Sequence, residues 1–115
     1  MVSETIEITP KDIFGLIALL GDAKASYHHA MLLMQEGKAE EAAEAVKAGD
    51  ATLKEAHAIQ TKFVTLEAQG KTATVGVLMV HAQDHLMNTI LVKEMLGYMM
   101  NMQNEINQFK GMDQK

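Results

Sequence analysis

The chain has one proline, Pro10, and no later residue locks the backbone out of a helix. Beyond it, three long stretches carry apolar residues at helical spacing, and Gly37 and Gly70 divide them. Few folds other than a bundle of three helices satisfy that pattern. Thr9-Pro10-Lys11-Asp12 supplies a capping residue, a proline at the first helical position and an acid at the third. The first helix should carry Ile13, Leu16, Ile17, Leu20, Tyr27, Met31 and Met34 on one face and end at Gly37. The second should run from Lys38 to Gln69. Its seam is Ala42, Val46, Gly49, Leu53, Ala56, Gln60 and Phe63, mostly small residues suited to close helix approach.

The third helix should run from near Thr74 to Phe109 and carry two overlapping stripes. One is Leu78, His81, His85, Asn88, Val92, Met95, Met99, Met102 and Ile106; the other is Asp84, Asn88, Leu91, Met95 and Met102. Two partner helices cannot cover both, so the protomer should oligomerise through this helix. The expected fold is all-α, a three-helix up-down-up protomer. Residues 10–115 form one domain and residues 1–9 a loose arm.

Composition removes whole classes of function. Without cysteine there are no disulfides, thiolate metal sites or thiol nucleophiles. A formal net charge of −5 argues against nucleic acid and against anionic membrane surfaces. No apolar run is long enough to span a membrane, and Met1-Val2-Ser3-Glu4-Thr5 lacks the basic start of a signal peptide. The expectation is a cytoplasmic protein with no direct membrane insertion.

Chemistry concentrates in Val80-His81-Ala82-Gln83-Asp84-His85-Leu86-Met87. His81, Asp84 and His85 stand at i, i+3 and i+4, close to one helix face. Ionisable groups in an apolar stripe cost stability unless they are paired or used. A zinc-protease reading fails, because Ala82 stands where the catalytic glutamate belongs. A di-metal bundle fails too, since no glutamate lies three residues before a histidine. There is no phosphate-binding glycine loop. A histidine nucleophile needs none of these, only a free ring nitrogen, a rigid helix and a partner that arrives phosphorylated. The plainer alternatives are structural. A lone histidine on an apolar face is more often a core or interface residue, and Asp84 alone more often an interface hydrogen bonder. His57 reads as structural, His28 and His29 as solvent-facing, and Glu40, Glu41 and Glu44 as a solvated face. The methionines from Met79 to Met102 read as core rather than as a sulfur-metal site.

Three segments change that balance: Gly21-Asp22-Ala23-Lys24, Glu55-Ala56-His57-Ala58-Ile59-Gln60-Thr61, and Leu78 to Met87. In order, they resemble the helix-one, helix-two and active-site motifs of the IIA component of the lactose/cellobiose (chitobiose) class of the bacterial phosphoenolpyruvate-dependent sugar phosphotransferase system. Lys24 stands where that family often has arginine. The resemblance implies a homotrimer, nine helices in one bundle. It implies that His81 accepts a phosphoryl group on Nε2 from HPr and passes it to a cysteine of the IIB component during sugar uptake. It places Asp84 on the trimer axis with a shared divalent metal ion, Mg²⁺ being favoured. Gln83 and His85 are expected as supporting residues, His85 because it lies one turn from His81. The competing reading is a non-catalytic helical oligomer that binds a metal or a partner helix through its methionine-rich third helix.

Overall fold

A computed structural model describes residues 8–71 and 76–111. Three helices follow one another: α1 (Pro10–Gln35), α2 (Ala39–Ala68) and α3 (Val77–Phe109). The expected start of the third helix near Thr74 lies outside the described residues, as does most of the N-terminal arm.

The ends of α1 and α2 follow directly from the sequence. Thr9 caps α1 reciprocally: its hydroxyl accepts from the Asp12 N–H at 3.2 Å, and the Asp12 carboxylate accepts from the Thr9 N–H at 2.9 Å. Such a cap contributes about 1 kcal/mol. Gly37 and Gly70 adopt φ of 80° and 70°, the left-handed conformation that glycine reaches without strain. In each turn the glycine N–H and the one after it return to carbonyls of the last helical turn: Gly37 to Met34 and Lys38 to Leu33, then Gly70 to Glu67 and Lys71 to Leu66.

Leu33 and Met34, at the end of α1, pack against Ala42, at the start of α2, so these helices run antiparallel. Asn107, near the end of α3, donates to the Met34 carbonyl at 2.8 Å, which sets α3 parallel to α1. The order is up-down-up. α1 lies against both partners, and α2 and α3 meet only sparsely. The core is built from Leu16, Leu20, Ala23 and Tyr27 of α1, Leu53, Ala56 and Phe63 of α2, and Ala82, Leu86 and Leu96 of α3.

The seam expected for α2 is the one observed, with Val46 half-buried and the other six residues buried. Gly49 shows why a small residue is needed there. A Cβ at this position would lie 2.8 Å from the Tyr27 ring. Tyr27 is held in place because its hydroxyl donates to Asp50 at 2.6 Å, and Asp50 in turn pairs with Lys93 of α3 at 3.4 Å. A Cβ built at Gly15, Gly21, Gly76 or Gly97 meets no such neighbour within 4 Å, so close packing explains Gly49 alone among these five.

α3 differs from its expected register. The residues it buries in the protomer are Ala82, Leu86, Thr89, Leu96 and Asn107. Of the first expected stripe, Leu78, His85 and Val92 are half-buried, whereas His81, Asn88, Met95, Met99, Met102 and Ile106 are exposed. Thr89 and Asn107 can enter the core because their polar atoms are satisfied. Thr89 donates to the His85 carbonyl at 2.7 Å, and Asn107 bonds both Met34 and Gln103. The methionines read as core lie largely on the protomer surface: Met87, Met95, Met99 and Met102 are all exposed.

Candidate functional site

α3 opens without a side-chain cap, at Gly76, and has no acid in its first turn. His81 stands about one turn in, on solvent, and His85 follows one turn later, half-buried. Their Nε2 atoms approach to 3.1 Å, with ring centroids 4.6 Å apart and planes nearly perpendicular at 88°. A contact between two imidazole nitrogens holds a single proton: one ring donates and the other accepts. When His85 donates, His81 carries its own proton on Nδ1 and its Nε2 lone pair accepts the hydrogen bond. A proton on both facing nitrogens would repel. Burial lowers the His85 pKa below the ordinary imidazole value, and the charges of His81 and Lys24 lower it further, against a smaller opposing effect of Asp84. His85 is therefore biased to the neutral form at neutral pH.

The other expected site residues lie elsewhere on the helix. At 3.6 residues per turn, Gln83 sits about 160° around α3 from His81. It faces α2, where its side-chain oxygen accepts a hydrogen bond from the Gln60 amide. Asp84 is exposed and has no hydrogen bond or ion pair among the described residues. It shares its face with exposed Leu91, Met95, Met102 and Ile106. The protomer thus joins His81 to His85, turns Gln83 toward α2, and leaves Asp84 without a hydrogen bond to either ring among the described residues. His57 is exposed and borders a shallow groove between α2 and α3. His28, His29, Glu40, Glu41 and Glu44 are exposed, as expected.

No group of three histidine, aspartate or glutamate side chains among the described residues could hold a metal ion within one chain. Asp84 suits a hard cation in donor type, but one carboxylate is not a site. Symmetry copies would have to complete it.

Sequence reasoning placed Gln60 in the seam but not at the site. Its side chain is only 5% exposed, yet it reaches Gln83 from 23 positions away. No periodicity signals such a pairing.

A family model for the lactose/cellobiose-specific IIA subunit of the phosphotransferase system matches residues 11–104. The chain belongs to this family. It is 36% identical over 89 residues to the lactose-specific EIIA component of Streptococcus mutans, covering 77% of this chain and 86% of that protein. It is 35% identical over 99 residues to the lichenan-specific phosphotransferase enzyme IIA component of Bacillus subtilis, covering 86% and 90%. The crystal structure of the cellobiose-specific enzyme IIA from Bacillus anthracis superposes with a TM-score of 0.81 at 34% identity, over 88% of this chain and 94% of that one. The fold is therefore that of a IIA component. No helix among the described residues is long and apolar enough to cross a membrane.

Proposed function

We propose that this IIA component is a phosphocarrier that acts through His81. Its Nε2 attacks the phosphorus of phosphorylated HPr: a new N–P bond forms at His81 as the N–P bond to HPr breaks. A cysteine thiolate of the IIB component then takes the group, forming S–P and restoring the His81 lone pair. The sugar downstream is of the lactose/cellobiose type, and the chain works in the cytoplasm beside its carrier proteins.

The observation that supports this most is the Nε2-to-Nε2 contact on an exposed turn. With His85 as the donor, His81 carries its proton on Nδ1, and its Nε2 lone pair becomes the nucleophile once the hydrogen bond to His85 is released. Once phosphorus occupies that position, the His85 N–H faces the new phosphoryl oxygens. Transfer between two proteins works mainly by positioning and charge stabilisation, so a rigid helix that holds the two rings together supplies much of what is required.

The assembly in this reading is a homotrimer. The exposed apolar face of α3 is its interface, and Asp84 lies on the axis. Each pair of carboxylates at about 4 Å would cost roughly 4 kcal/mol at an effective dielectric near 20. A shared divalent ion, Mg²⁺ for hard oxygen donors, offsets that repulsion and stays structural.

His81→Ala tests the reading. Folding and assembly should be unchanged, and no phosphate should be accepted from phospho-HPr or delivered to IIB. Normal transfer by this variant would remove His81 from the pathway.

A further inference from the structure

The start of α3 is held weakly by its own sequence. Gly76 provides no side-chain cap, the first turn carries no acid, and α3 touches α2 only sparsely. Between the two flanks of the helix lies Ala82, fully buried. Leu78, Met79 and Leu86 pack against the core on either side of it.

Near this end of α3, one side-chain hydrogen bond to α2 resists rolling. Gln60 of α2 is almost wholly buried and donates its amide to Gln83 of α3. Its own carbonyl oxygen is buried with no partner among the described residues. An unmet buried acceptor is destabilising, and a leucine here would avoid that cost. Stability alone does not account for a glutamine at this position.

We propose that Gln60 is a positioning residue: by pinning Gln83 it sets the roll of α3 that aims His81 and His85. The lever is geometric. Gln83 and His81 lie about 160° apart around one helix, so a roll that frees the first swings the second the opposite way. Side-chain tips stand roughly 6 Å from the helix axis, so a roll of about 10° moves them by about 1 Å. A displacement of that size can cost up to about a hundredfold in rate when two reacting groups must align.

The inference rests on the phosphocarrier reading for its kinetic arm but not for its structural one. Q60L, Q83L and the double variant would be compared with the full chain by melting temperature, by the rate of phosphoryl acceptance from phospho-HPr, and by the imidazole NMR signals of His81 and His85. Q60L should melt no lower than wild type yet accept phosphate about tenfold more slowly. The two ring signals should move, although no hydrogen bond joins residue 60 to either ring. Q83L, altered at a half-buried position, should show the same defect, and the double variant no more than either single one. Unmoved ring signals, an unchanged acceptance rate, or additive defects would overturn the proposal. Should wild type accept no phosphate at all, the phosphocarrier reading fails, and the ring signals alone decide the role of Gln60. If Q60L does not fold, Q83L carries the same comparison.

Discussion

Replacing Gly49 with alanine should destabilise the protein, against the usual preference of helices for alanine. The added Cβ would lie 2.8, 3.0 and 3.1 Å from Cε1, Cδ1 and Cζ of Tyr27. The ring cannot retreat freely, because Tyr27 is fully buried and its hydroxyl is tied to Asp50 at 2.6 Å. Overpacking of a core contact costs about 1–3 kcal/mol, and a stiff, tethered ring puts this case in the upper part of that range. Alanine in place of glycine in a helix interior returns about 1 kcal/mol. The net loss is about 1–2 kcal/mol, read as a lower urea midpoint at fixed protein concentration, since any assembly adds to apparent stability. Gly21→Ala is the control. Nothing lies within 4 Å of its Cβ, so it should gain about 0.5–1 kcal/mol. Tyr27→Phe cuts the tether, and in that background Gly49→Ala should cost less, by a coupling of about 0.5–1 kcal/mol. A Gly49→Ala variant as stable as wild type would refute the packing argument.

Three further outcomes follow from the same geometry. Burial and the Asp50 hydrogen bond raise the pKa of the Tyr27 phenol, so above the ordinary value of 10.0 the unfolded chain loses this proton and the folded one keeps it. Stability should therefore fall as pH rises beyond 10, by up to about 1.4 kcal/mol per pH unit, and Tyr27→Phe measured by urea unfolding should lack this component. The folded-state pKa of His85 is depressed, so its contribution is complete above 6.5 and lost as pH falls through the folded value. By NMR, His81→Ala and Lys24→Met should each raise that pKa, and an unmoved titration would remove the cause assigned to the altered residue. Asp84→Leu should give a trimer independent of divalent ions by sedimentation, no less stable once the repulsion is lost; a monomer would take Asp84 off the axis.

The sequence exposed the fold more readily than the contacts that tune the site. The α2 seam was legible because Ala42, Gly49, Leu53 and Ala56 are all small or aliphatic, and each enters the core without a polar partner to find. α3 was misread where it buries polar groups. Thr89 and Asn107 look like surface residues until their hydrogen bonds to the His85 and Met34 carbonyls are known, and those partners depend on the packed structure. The apolar surplus of α3 was legible as a surplus, but its methionines face out of the protomer rather than into it. The His81–His85 pair could be read from spacing, because one helical turn places the two rings together. The Gln60–Gln83 pair and the Tyr27–Asp50–Lys93 link could not, because each joins residues brought close only by the bundle.

The most direct test of the account is to phosphorylate the wild-type chain with phosphoenolpyruvate, enzyme I and HPr and to locate the group. The expected product carries one phosphate per chain, acid-labile and alkali-stable, mapped by mass spectrometry to His81 and by ³¹P NMR to its Nε2. A chain that stays unmodified, or one that carries the phosphate on His57 or His85, would contradict it.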